Sequence, residues 1–206
     1  MSETAAMGIL ERWLTNILPE CIGQAKCDLR TYEAEIGKRF CNKDRFRQFL
    51  VEYKIQRIRG FSADEFYNIV YDRQIDDLLR ALQNCEPSEC INKFIAVLCR
   101  PNMAEPDGDY SSFASKILFV SLPEWIPIYD RYAFAGFQIL WRMIFQKPDP
   151  ECKDAWRKAF FDKFKVLMGE CDDRLIAGEL STQSNNNLIL KIKAFDRMLM
   201  ALGKHF

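Results

Sequence analysis

The stretch from Ser111 to Phe137, SSFASKILFVSLPEWIPIYDRYAFAGF, sets a lysine inside an apolar run, two prolines after it and an aspartate ahead of an aromatic-rich segment. Lys116 is flanked by Phe113, Ile117, Leu118 and Phe119 and lies near the start of its helix. Scarcity of water around the amine and the positive end of a helix both disfavour an ammonium, which is how covalent catalysis obtains a nucleophilic lysine. The competing reading is a snorkelling lysine whose stem covers apolar surface while its head reaches water. Asp130 stands where a helix N-cap belongs, so its carboxylate either only satisfies free amides or is held by them for chemistry. Trp125, Tyr129, Tyr132 and Phe134 flank it and offer a ligand-binding surface, although aromatics at helical spacing serve a core more often.

Other chemistries are poorly supplied. The eight cysteines, at 21, 27, 41, 85, 90, 99, 152 and 171, never fall at C-x-x-C spacing, and the only histidine is His205. A zinc site and any Ser-His or Cys-His apparatus are therefore not expected, and nothing calls for a cofactor. The thiols read as small hydrophobes of a cytoplasmic protein. Residues 1–18 carry Glu3, Glu11 and Arg12 and lack a basic n-region with a cleavage site, so no secretory signal is expected. No apolar run approaches the roughly 20 residues of a membrane span, so no membrane partner is expected either.

Formal net charge is zero, with 29 basic and 29 acidic residues, whereas nucleic-acid binders usually carry a basic surplus. The charges are unevenly placed. Residues 37–61 hold eight basic and two acidic groups, and residues 62–109 hold four and ten. Arg45, Arg47, Arg57 and Arg59 in the basic stretch are the expected DNA contacts. The alternatives are a solvated helix face, or pairing of these arginines with the acidic segment inside the fold.

Helical periodicity must position these groups, because it recurs almost throughout and no hairpin signal appears; the expected fold class is all-α. Ile9, Leu10, Trp13, Leu14, Ile17 and Leu18 form one apolar face that Pro19 should end, with a second helix from Asp28. A third is expected from Asn42 to Gly60, and a fourth behind the capping box Ser62-Ala-Asp-Glu65. Pro87 opens another, which Pro101 stops. Residues 101–110, PNMAEPDGDY, are the clearest loop and the expected boundary between two lobes of one domain spanning 1–206. Ser111–Ser121 reads as a short apolar helix, Pro123–Tyr129 as an irregular connector, and Asp130 as the cap of a central helix. Asp149-Pro150 reads as a cap with proline at the first helical position, for a helix ending near Gly169. A short helix near 172–177, a polar loop at 181–187 and a last helix to Leu202 complete the chain.

The order Lys116, an apolar turn, Pro123, Pro127-Ile128-Tyr129-Asp130 and an aromatic-rich helix resembles the core of the helix-hairpin-helix DNA glycosylases, in the branch of the 8-oxoguanine glycosylases and their small bacterial relatives. The resemblance covers about 25 of 206 residues. It implies a two-lobed all-α fold, Lys116 as the nucleophile that attacks C1′ of a damaged nucleoside, and Asp130 as the carboxylate that offsets positive charge developing on the sugar. It further implies an extruded base held between side chains such as Trp125, Tyr129, Tyr132 and Phe134. The chain departs from the family at the Gly-rich hairpin before the lysine, where Gly108 between Asp107 and Asp109 is the only glycine, and at Tyr129 within the proline-aliphatic-aspartate run.

Two function classes follow. One is a base-excision glycosylase with AP-lyase activity, partnered by DNA. The other is a non-catalytic helical module that keeps the fold without the activity and takes a protein partner.

Overall fold

The structure, a computed structural model, describes residues 3–37, 40, 42–53, 64, 67, 75–82, 84–98, 110–146, 148–185 and 187–205. Among these residues there is no strand, and the fold is all-α. The helices are α1 (Glu3–Thr31), α2 (Lys43–Glu52), α3 (Ile75–Leu82), α4 (Pro87–Leu98), α5 (Ser111–Ser121), α6 (Arg131–Phe145), α7 (Lys153–Arg174), α8 (Glu179–Gln183) and α9 (Leu188–His205).

They gather into two compact units, Met1–Glu33 with Pro127–Phe206, and Ala34–Ile126. The division thus falls on either side of Ala34–Ile126 and not at the expected 101–110 boundary, of which residues 101–109 lie outside the described residues. The physical reason is a non-local one: α1 joins the C-terminal helices. Leu10, Leu14, Leu18, Cys21, Ile22 and Ala25 of α1 are all buried, a face with helical spacing that continues straight past Pro19. An interior proline typically costs a helix about 3 kcal/mol, and burial of six apolar side chains at this spacing outweighs that. The helix therefore neither ends at Pro19 nor restarts at Asp28. Asp28 instead lies in its last turns, where Arg197 of α9 donates to its carboxylate from Nε at 2.9 Å.

In this unit α6 and α9 cross at backbone contact. A Cβ added at Gly136 would lie 2.1 Å from the Leu199 carbonyl oxygen, and one at Gly203 would lie 2.0 Å from that of Tyr132, so only glycine permits the approach. Beside the crossing is an aromatic core. The Phe160 ring is centred 5.2 Å from Tyr129, 5.2 Å from Phe137 and 5.6 Å from Phe164, and Phe164 reaches Phe195 at 5.2 Å. Such pairs add about 0.5–1.5 kcal/mol each to the burial of their area. α7 opens at Lys153 behind Cys152 and runs to Arg174, not from Pro150 to Gly169 as expected. Asp149 is occupied elsewhere, by Arg142 at 2.7 Å, and so does not cap it.

The unit Ala34–Ile126 forms around Phe40, Phe46, Phe49, Phe94, Ile117 and Leu118, all nearly or wholly buried. Asn42 caps α2 as its sequence predicts, accepting from the Arg45 amide at 2.9 Å; Tyr53 follows the helix as its C-cap, and residues 54–60 lie outside the described residues. So does most of the expected capping box at 62–65, of which Asp64 alone is described. Pro87 takes the first position of α4, where a proline's missing N–H costs nothing. Before α2, Gly37 adopts φ +75°, a left-handed conformation that lets its amide donate to the Val120 carbonyl at 2.8 Å and ties the α1–α2 turn to α5.

Candidate active site

α5 is packed on nearly every side, Ser111, Ser115 and Ser121 included, and from Phe113 to Ser121 every residue is buried except Lys116. Lys116 is therefore the one half-buried residue in this packed stretch. Its amine donates to the Tyr53 carbonyl at 3.5 Å, the outer limit of a hydrogen bond. The helix and its bounds are those read from the sequence.

After α5 the chain passes through Pro123, Ile126, Pro127, Ile128 and Tyr129, all buried, and reaches the surface again at Asp130. Asp130 caps α6 as expected, its backbone extended and its Oδ1 accepting from the Tyr132 amide at 2.8 Å. The second carboxylate oxygen has no hydrogen-bond partner among the described residues. The cap thus holds the carboxylate in one orientation through one oxygen and leaves the other uncommitted. Lys116 belongs to the unit Ala34–Ile126 and Asp130 to the other.

The four aromatic candidates separate. Tyr129 is 7% exposed and packs its ring on Phe134, Phe160 and Phe161, and Phe134 in turn packs on Trp156 and Phe160. Tyr129 is thus a buried core ring and not the exposed base-pocket wall expected of it, whereas Phe134 is half-buried at the edge of the same aromatic cluster. Trp125 keeps 38% exposure while its indole N–H donates to the Cys85 carbonyl at 3.1 Å, so it is an anchored surface ring. Tyr132 is half-buried, with the Arg131 guanidinium 4.6 Å and the Lys204 amine 5.3 Å from its ring centroid.

Two of the four expected DNA-binding arginines are engaged by carboxylates. Arg45 donates to both oxygens of Glu35, a carboxylate 1% exposed, at 2.8 and 3.2 Å. Arg47 forms the same two-pronged pair with Asp64 at 2.9 and 2.6 Å, and Lys43 joins it at 3.1 Å. These hydrogen bonds hold the Asp64 carboxyl below its ordinary range. Arg47 thus pairs with a carboxylate of the acidic 62–109 segment, as one sequence alternative has it, although at an exposed position, whereas Arg45 pairs with Glu35, which lies outside that segment. Arg57 and Arg59 lie outside the described residues.

Two buried charged networks were not anticipated. Asp172, 1% exposed, accepts from the amides of Leu180 and Ser181, from the Ser181 hydroxyl and from the Lys191 amine at 3.0 Å. A serine hydroxyl 2.6 Å from a lysine amine has the composition of a Ser–Lys dyad, but here the hydroxyl and the amine both donate to one carboxylate. Burial alone would raise Asp172; the bonds from Ser181 and Lys191 outweigh it and hold the carboxyl low, as in a charged structural cap. In α9, Lys193 lies 3.1 Å from Asp196 and 3.5 Å from Asp28. Burial pushes Asp196 up, the charge of Asp130 adds to that, and its Oδ1 is buried without a partner. A lysine two positions from another inside the apolar run LILKIKAFDRML was the one available sequence signal.

Among the described cysteines, burial pushes Cys21 and Cys90 up to about 11 and Cys171 up to about 12, which removes them as nucleophiles. No helix of the described residues is long and apolar enough to cross a membrane. Comparison with protein-family models, with curated proteins and with solved structures finds no match to this chain.

Proposed function

We propose that the chain is a DNA base-excision glycosylase with lyase chemistry, in which Lys116 is the nucleophile and Asp130 the carboxylate that offsets charge on the sugar. Nζ of Lys116, as the free amine, attacks C1′; the C1′–N bond breaks and the base leaves with its electron pair. The sugar ring then opens as the lysine nitrogen forms a Schiff base to C1′, and removal of a C2′ proton expels the 3′ phosphate by β-elimination. The observation that carries the reading is Lys116 itself, the one residue between Phe113 and Ser121 that α5 does not bury. Asp130 supports it, because a carboxylate fixed by a cap through one oxygen presents the other with no reorganisation. The experiment is borohydride trapping on DNA bearing an abasic site or 8-oxoguanine.

A second reading is a non-catalytic interaction module of the same architecture. The engagement of Arg45 and Arg47 by Glu35 and Asp64 favours it, since a phosphate would have to compete with those carboxylates for them.

A further inference from the structure

If DNA is held at the end of α6 that carries Asp130, cations other than Arg45 and Arg47 must help to hold it, and two gather on Tyr132, two residues after the aspartate. Arg131 follows Asp130 directly, is exposed, and lies with its guanidinium 4.6 Å from the centre of the Tyr132 ring, its Nη2 donating to the tyrosine hydroxyl. Lys204, in the last turn of α9 and also exposed, has its amine 5.3 Å from the same ring. The two charges are therefore within about 10 Å of each other. Neither has a carboxylate partner among the described residues, unlike Arg45, Arg47, Arg142 and Arg197. The pair is rigid at its base, because Gly203 brings the last turn of α9 to backbone contact with Tyr132. Next to them, His205 stacks on Trp13 at 5.3 Å.

Two like charges kept close together with no ion-pair partner among the described residues repel each other, and an aromatic ring only partly offsets that. A polyanion whose charges repeat along a chain relieves it. We propose that Arg131 and Lys204, gathered on Tyr132, form a phosphate-binding surface for the backbone of a nucleic acid. The inference rests on the proposed function in one respect: a sugar attacked beside Asp130 carries its flanking phosphates to the same end of α6. An arginine offers a phosphate two parallel donors, and a lysine a single point charge.

Anisotropy of a fluorescent oligonucleotide, duplex or single-stranded, titrated with the protein between 50 and 200 mM salt, tests this. Each phosphate contact on duplex DNA contributes close to 0.9 to the slope of log affinity against log salt. Arg131→Gln with Lys204→Gln should flatten the slope by about two units, and each single change by about one, while thermal unfolding stays put because both side chains are exposed. Arg142→Gln, whose guanidinium is paired with Asp149, should leave the slope alone. An unchanged slope in the double variant overturns the proposal. So does a wild-type protein that binds no oligonucleotide, or that binds anionic lipid vesicles instead. Binding with the expected slopes but no borohydride trapping on any lesion would sink the catalytic reading and leave this surface standing.

Discussion

Gly203→Ala and Gly169→Ala are the same chemical change inside two long helices, and the structure assigns them opposite signs. Alanine is favoured over glycine in a helix interior by about 1 kcal/mol, and nothing lies within 4 Å of the Cβ it would add at Gly169. Gly169→Ala should therefore stabilise by up to about 1 kcal/mol. At Gly203 the added Cβ would sit 2.0 Å from the Tyr132 carbonyl oxygen, about 1 Å inside any approach a real Cβ makes, and 2.8 Å from the Gly136 amide nitrogen. Both obstacles are backbone, so no rotamer change relieves them and α9 must move away from α6 over Phe137, Leu140, Leu199 and Leu202, all buried. Overpacking of this kind costs about 1–3 kcal/mol, and a backbone clash belongs at the upper end. Set against the helix-propensity gain, the net loss is about 2 kcal/mol, or roughly 4–8 °C in Tm for a chain of this size. Urea unfolding of both variants and the parent measures it. A Gly203→Ala protein as stable as the parent would refute the close α6–α9 crossing, and with it the placement of Lys204 on Tyr132.

Asp130→Asn keeps a capping oxygen, so stability should fall by well under the roughly 1 kcal/mol of a lost cap while turnover drops by orders of magnitude; equal modest losses in both would identify a purely structural aspartate. Asp172→Ala strands the Lys191 amine and two amides in a buried setting and should cost about 3–5 kcal/mol in denaturant unfolding. Because the native Asp172 carboxyl is held low, its contribution is present above the ordinary aspartate range and is lost as pH falls through the native value, so Asp172→Asn should flatten the acid limb of the stability profile. Asp196 has the opposite sign: its native carboxyl is raised, so the folded state binds more protons and stability declines as pH rises above the unfolded value. Asp196→Asn should remove that decline, and a profile identical to the parent's would show that burial does not raise Asp196 against the nearby charges of Lys193 and Arg197.

What the sequence disclosed was local. The bounds of α5 and the cap at Asp130 depend on residues within a turn or two, and both are found as read. Pro19 misled because a breaker rule weighs one residue, whereas burial of Cys21, Ile22 and Ala25 beyond it decides for the helix. Asp149-Pro150 has the form of a helix start, yet Arg142, seven residues back, takes the carboxylate. The partners of Arg45 and Arg47 lie ten and seventeen residues away, a separation at which charge counts show complementarity without showing contact. The role of Tyr129 is set by Phe160 and Phe161, which only tertiary packing brings to it. Arg131 was visible as a residue, but its lack of a carboxylate partner and its meeting with Lys204 on one ring are properties of the folded unit.

Borohydride trapping addresses the catalytic claim most directly, because it reads the bond between the lysine and the sugar and not the loss of base that other groups could promote. Wild-type protein incubated with an oligonucleotide carrying an abasic site or 8-oxoguanine and then reduced should yield a covalent protein–DNA adduct, with the linkage mapped to Lys116. Lys116→Gln should yield none while unfolding at the same temperature as the parent. A folded wild-type protein that forms no adduct on either substrate, or an adduct that persists in Lys116→Gln, would contradict the assignment.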